Sequence, residues 1–333
     1  MTGIPDAAPR GRPGWLSASS WRRTFRDRPL VPLLVLLGLL IVLLQVVRPG
    51  MIGGDWVSTT IRSAIPLAII AAAQSLTMLT GGIDLSAAAV ASMAAYIVAT
   101  QSPDHGPLLA LLIALAAAGL AGFVSGIGVG TFRVHPLIMT LGVSLVVFGS
   151  VTVYQRIMVA AGGRVPDELK WLGGGISFGF VPNGLLVFVP IAAVILFALR
   201  RSGFGRLLYA VGDNEIAARL SGVRVWRVHV VLYVVAALLA AVGGLMLSGL
   251  TNAATATLAD RFLLPSVAAA VIGGTSIFGG RGGYSGTIVG ALILTVLTTL
   301  LTVLEMPEPV RQILFGLIIL AVAAAYTRIT EEA

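Results

Sequence analysis

The sequence predicts an all-α, polytopic membrane protein of about ten transmembrane helices with both termini in the cytoplasm. Three observations lead there. Of 333 residues, 57% are hydrophobic and only 11% charged, and the mean hydropathy is +0.98; a soluble domain carries about 25% charged residues. Apolar runs recur at the ~20-residue length that crosses ~30 Å of hydrocarbon at ~1.5 Å per residue. The runs are continuous, as in LVPLLVLLGLLIVLLQVV from Leu30, and do not alternate. The backbone bonds that lipid demands are therefore made within helices and not between barrel strands.

Residues 1–29 read as a basic cytoplasmic tail. The apolar run Leu30–Val47 is longer than the ~7–15 residues of a signal-peptide core and ends in RPGMIGG, so it reads as a retained first span. Further spans are expected at 57–79, 84–100, 108–130, 136–157, 184–199, 229–250, 263–278, 285–303 and 310–326. Residues 30–326 thus form one transmembrane domain carrying a cytoplasmic segment at 200–228, and 327–333 form a short cytoplasmic tail. With this topology, 15 of the 22 basic residues fall in inside segments, against 7 outside or within spans. That bias is the expected one for cytoplasmic loops and supports the span count. It also accounts for the net charge of +8 without nucleic acid, because the arginines are spread over several loops and gathered on no single surface.

There is no cysteine, so disulfides, thiolate metal sites and cysteine nucleophiles are excluded. His105, His135 and His229 lack metal-ligand spacing, and nothing resembles a catalytic triad. The one lysine, Lys170 in ELKWLGGG, lacks the glycine loop of a phosphate-binding motif. Energy for any transport is therefore expected from another polypeptide or from an ion gradient. Few charges lie within the spans, whereas proton- or sodium-coupled carriers usually keep intramembrane carboxylates. A neutral polyhydroxylated solute would need only hydroxyls, amides and aromatics.

Against this apolar background, GDNEIAARLSGVRVWR (212–227) stands out. Gly212 is expected to break the preceding structure and Asp213 or Asn214 to cap a helix of two to three turns. Asp213 and Glu215 suit the positive N-terminal end of its dipole. Glu215 and Arg219 are four residues apart in the favourable order. Ile216, Leu220 and Val223 share a face beside Ala217, and Gly222 suits a left-handed terminus. Such a helix either rests on lipid, with Trp226 as an anchor, or docks into another protein, for which a small, alanine-rich face is suited.

This stretch, YAVGDNEIAARLSGVRV, resembles the cytoplasmic coupling segment of sugar-type ABC importer permeases, the ribose, xylose, arabinose, galactose and autoinducer-2 branch. LTGGIDLSAAAVASMAAY (79–96) and GGTSIFGGRGGYSGTIVGALIL (273–294) are similar to two further segments of that family, and VHPLIMTLGVSLVVFGS (134–150) is a looser match. The four occur in the family's order. The resemblance implies that Gly212, Asn214, Glu215, Ala217, Ala218, Ser221 and Gly222 form an element that docks into a cleft of a separate ATPase subunit. Asp213 stands where the family more often has glycine. The resemblance also implies a second permease copy or paralogue, and a periplasmic or lipid-anchored solute-binding protein over 158–183 and 251–262. ATP and Mg would then belong to the partner ATPase and no cofactor to this chain. The setting would be the bacterial cytoplasmic membrane.

Candidate path or gate residues are Gln74, Thr77, Gly81, Gly82, Asp84, Ser86, Thr140, Asn252, Gly273 and Gly274, with Ser75, Ser92, Tyr96, Ser144, Thr255 and Thr257 beside them. Membrane serines and threonines more often bond backbone or a neighbouring helix. Asp84 is either an ionisable functional group at membrane depth or, with Ser86, the cap of the third span. Gly81 and Gly82 allow a tight turn before it. Arg62 is expected to snorkel outward, and Arg281 to anchor the inside loop. A stand-alone secondary transporter or channel is the alternative reading; a membrane-embedded enzyme lacks the clustered side chains it would need.

Overall fold

The computed structural model describes residues 30–158 and 163–331; the N-terminal tail lies outside the described residues. The chain forms helices α1 (Leu30–Val47), α2 (Gly54–Met78), α3 (Ala87–His105), α4 (Pro107–Gly130), α5 (Pro136–Met158) and α6 (Asp167–Gly174). A small hairpin, β1 (Ile176–Ser177) and β2 (Val181–Pro182), precedes α7 (Leu185–Arg201), α8 (Gly203–Asp213), α9 (Glu215–Leu220) and α10 (Val225–Thr251). Then come α11 (Leu263–Ile272), α12 (Tyr284–Val303) and α13 (Glu308–Glu331).

Each expected span meets a helix, but the helices are not all of spanning length. Among the described residues, six helices are long and apolar enough to cross a membrane, or seven if α7 and α8, bent by 67°, count as one. The largest departure is 263–278. Its helix, α11, has 10 residues and stops at Gly273, so it covers only ~15 Å. The glycines that follow break it: Gly274, Gly279, Gly280 and Gly282 all take positive φ. The expected C-terminal tail is instead continuous helix to Glu331. By contrast, α3 is rich in alanine and buried by protein along most of its length, so its sequence need not satisfy lipid.

Helix α10 is the hub and packs on α2, α3 and α4. Its closest seam is with α4, whose Ala110, Ala114, Ala118, Gly122, Gly126 and Gly130 recur every fourth residue along one face. A Cβ at Gly122 would lie 2.4 Å from the Tyr233 carbonyl oxygen, at Gly126 2.6 Å from Val230 Cα, and at Gly130 2.8 Å from the Trp226 carbonyl oxygen. The absent side chains let the two backbones touch, the usual basis of helix association where lipid removes the hydrophobic drive. The α1 helix is the opposite case: of its residues only Leu44 is buried, as for a helix facing lipid.

Residues 163–183 fold against one end of the bundle, here called the hairpin end. The hairpin pairs Ile176 with Pro182 and Ser177 with Val181. Asn183 Nδ2 donates to the Trp171 carbonyl at 2.9 Å. Arg62 does not snorkel: its Nη1 donates to the Gly174 carbonyl at 2.8 Å, satisfying the C-terminal end of α6. On the exposed face of α6, Lys170 and then Arg164 hold the Asp167 carboxyl below the ordinary carboxylate range.

Candidate functional site

At the other end of the bundle, called the junction end, three chain segments that are far apart in sequence converge. They are the α2–α3 turn (79–86), the end of α8 with α9 (212–220), and the glycine-rich turn after α11 (273–283). Gly280 N–H donates to the Leu79 carbonyl at 3.0 Å. A Cβ at Gly212 would lie 1.8 Å from that same oxygen and 2.6 Å from Gly280 N. A Cβ at Gly279 would lie 2.7 Å from the Gly212 carbonyl oxygen and 2.9 Å from Gly81 N. Backbone thus meets backbone at a point that only glycines permit. Gly212 does not break α8, which continues to Asp213; the glycine serves close approach instead.

The break falls at Asn214, whose extended backbone starts α9 and whose Oδ1 accepts the Ala217 N–H at 2.9 Å, a side-chain N-cap. Helix α9 has 6 residues, shorter than the two to three turns expected. Gly222 takes φ 85° and ends it, and Ser221 Oγ donates to the Ala217 carbonyl. Glu215 and Arg219 form an ion pair. Ala218 is buried against the bundle, while Ile216 and Leu220 are 73% and 85% exposed. The helix is held by one small residue and leaves its two large aliphatic side chains uncovered.

Behind α9, the α2–α3 turn is stiffened by buried bonds. The Gln74 amide grips the Asp84 backbone on both sides, donating to its carbonyl at 2.5 Å and accepting its N–H at 3.2 Å. Asp84 Oδ1 accepts Ser86 N–H at 2.8 Å and Ser86 Oγ–H at 2.6 Å. Asp84 therefore closes a turn just before α3; Ser86 stands at the cap position but its side chain makes no cap bond, being turned to Asp84 instead. Thr140 Oγ1 accepts Leu85 N–H at 3.0 Å, tying α5 to the turn. Thr77 donates within its own helix to the Ala73 or Gln74 carbonyl. Gly81 has φ 76°, and a Cβ at Gly82 would lie 2.7 Å from the Tyr233 hydroxyl. Removing the acceptor in Asp84→Ala should lower the thermal unfolding midpoint by about 1–2 °C, as loss of such a hydrogen bond costs about 1 kcal/mol. An unchanged midpoint in a scanning melt would remove Asp84 from this holding role.

The third segment is bonded in as well. Ser75 Oγ lies 3.2 Å from Thr275 Oγ1 and 3.1 Å from Thr287 Oγ1, and a Cβ at Gly273 would lie 2.4 Å from Gly286 C. Gly274 takes φ 86°. Asn252 is not in this cluster. It caps α10 at the hairpin end in a left-handed conformation, and the chain after it turns back into the bundle, where Ala259 N–H donates to Ser92 Oγ at 2.9 Å. Sequence reading did not single out the glycine stripe of α4, Tyr233, Thr275 or Thr287. The four-residue recurrence of small residues was a visible signal for the first; nothing local marked the others.

A family model described as "Branched-chain amino acid transport system / permease component" matches residues 56–323, a range that contains all three converging segments. The chain belongs to this permease family. The permease is 31% identical over 302 residues to the fructose import permease protein FrcC of Rhizobium meliloti, covering 88% of this chain and 84% of that one. It is 30% identical to the ribose import permease protein RbsC of Haemophilus influenzae (86% and 90% covered) and to the autoinducer 2 import system permease protein LsrC of Escherichia coli (85% and 84% covered). No solved structure matches it. Family membership and several apolar helices make it a multi-pass membrane protein and a transport component.

Proposed function

We propose that the permease is the membrane-spanning subunit of a bacterial ATP-binding-cassette importer in the cytoplasmic membrane, moving a sugar or sugar-like solute inward. The observation that carries the proposal is the glycine-only contact of Gly212 with Leu79 and Gly280. It makes the base of α9 continuous with the turns that end α2 and follow α11. A push on the exposed Ile216 and Leu220 face is thereby delivered to elements running through the bundle. The junction end is assigned to the cytoplasm, with about ten crossings and both termini inside. Separate ATPase subunits, holding ATP and Mg, dock on α9. A solute-binding protein docks at the hairpin end, where Trp171, Phe178 and Phe180 are exposed, and a second permease copy or paralogue completes the path. The named solutes of the relatives favour a sugar, as does an interior in which Asp84 is the buried carboxylate among the described residues.

The test is reconstitution with the ATPase and binding protein. Glu215→Ala and Gly222→Val should leave assembly intact but lower solute-stimulated ATP hydrolysis by about tenfold, in the range of measured coupling energies. Gly222 matters because valine at φ 85° is strained. Unchanged stimulation and uptake in both variants, or uptake that survives ATP depletion and collapses with the ion gradient, would overturn the reading in favour of a secondary transporter.

A further inference from the structure

Beside α9 lies a cavity of about 440 Å³ lined by Gly130, Thr131, Arg133, Arg219, Arg224 and Trp226, among others. Its walls come from three places: the end of α4, the end of α9 with the following turn, and the first turn of α10. Three arginines line one cavity, and among the described residues only Arg219 has a carboxylate partner, Glu215. Arg133 takes φ 55°, a left-handed conformation unusual for a non-glycine residue. The surroundings fix the depth. Phe132 and Trp226, next in sequence to Arg133 and Arg227, are 73% and 46% exposed, and the Arg227 guanidinium lies 5.2 Å from the Trp226 ring centroid. Exposed aromatics interleaved with arginine mark the headgroup level of a bilayer.

We propose that this cavity binds the phosphate headgroup of an anionic phospholipid, and that the bound headgroup fastens the α9 segment to the ends of α4 and α10. Guanidinium is the side chain suited to phosphate, through paired charge-assisted bonds. The volume is that of a small-ligand pocket, and the aromatic flank gives acyl chains an apolar surface beside it. Ordinary charge bias at a membrane face requires arginines but no shared cavity; Arg200 and Arg201, exposed at the end of α7, represent that case. The orientation and coupling role of α9 rest on the proposed function, but binding of the headgroup does not.

The experiment uses the full-length permease in nanodiscs of phosphatidylcholine doped with phosphatidylglycerol, with retained lipid counted by native mass spectrometry. The wild type should keep about one phosphatidylglycerol per chain. Arg133→Gln/Arg224→Gln should lower its retention by about thirtyfold, the effect of two arginines at a membrane surface, whereas Arg200→Gln/Arg201→Gln should not. Arg133→Lys/Arg224→Lys should restore part of it, separating charge from misfolding. Equal loss in both glutamine pairs, equal retention of phosphatidylcholine, or displacement by millimolar inorganic phosphate would each overturn the proposal, the last by showing a soluble phosphate site. Lipid retention with no ATPase coupling would leave it standing and count against the proposed function alone.

Discussion

Gly212→Ala is expected to abolish transport while the chain still inserts in the membrane. The new methyl group would sit 1.8 Å from the Leu79 carbonyl oxygen and 2.6 Å from Gly280 N. Neither atom belongs to a side chain that can swing aside, and the two are already hydrogen-bonded to each other at 3.0 Å. Overpacking a tight contact costs about 1–3 kcal/mol, and here the relief is to lift α8 off the turns or to break that bond. Both outcomes part α9 from the helices behind it. Solute uptake and solute-stimulated ATP hydrolysis should fall together to background. Gly203→Ala, nine residues earlier on the same helix, is the control, because its nearest neighbour is the flexible Arg206 guanidinium at 3.9 Å. Normal uptake by Gly212→Ala would show that the close contact transmits nothing.

The second large effect is expected on stability. Gly126→Leu would force a side chain into Val230 Cα, 2.6 Å from the position of its Cβ, with His229 O and Val230 O both within 3.2 Å. The α4–α10 seam cannot relax locally, because Gly122 and Gly130 make equally close contacts one turn away on either side. The pair must separate along its length, costing about 3 kcal/mol and lowering the thermal midpoint by about 4 °C. Gly119→Ala, on the same helix but with nothing within 4 Å, should be neutral. Equal melting of the two variants would refute the seam as the structural centre of the bundle.

The helical fold was largely legible because a hydrocarbon-length apolar run has one cheap structure. Gly222 was readable for a similar reason, a left-handed glycine after a short helix having a single local use. Where the reading failed, the controlling interaction came from elsewhere in the chain. Gly212 reads as a helix breaker because its partner, Leu79, is more than a hundred residues away. Arg62 was sent to solvent because the Gly174 carbonyl that it meets belongs to a segment with no apolar pattern. Hydropathy overextended the helix at 263–278 because Ile277 and Phe278 are apolar, although the glycines at 273 and 274 had already turned the chain. The expectation that 212–222 couples to a partner rests on its resemblance to a family. The exposure of Ile216 and Leu220 needed the structure, since helical periodicity alone cannot say whether an apolar stripe faces in or out.

The short α11 also bears on how the permease is made. A helix of 10 residues spans half a bilayer; a single 3-10 turn, Asp260–Phe262, precedes it, and the chain before that turn and after Ile272 is non-helical. Much of this chain bonds locally, but a peptide group left without a partner in lipid would cost several kcal/mol. Ser92 on α3 takes one such group, Ala259 N–H, and the Thr275 side chain meets Ser75 on α2, which in turn accepts from Thr287 on α12. Two of these helices are synthesised well before α11 and the third after it. The set of contacts around residues 252–283 is therefore complete only once α12 is in place, so the last of them closes late in chain synthesis and not at initial insertion.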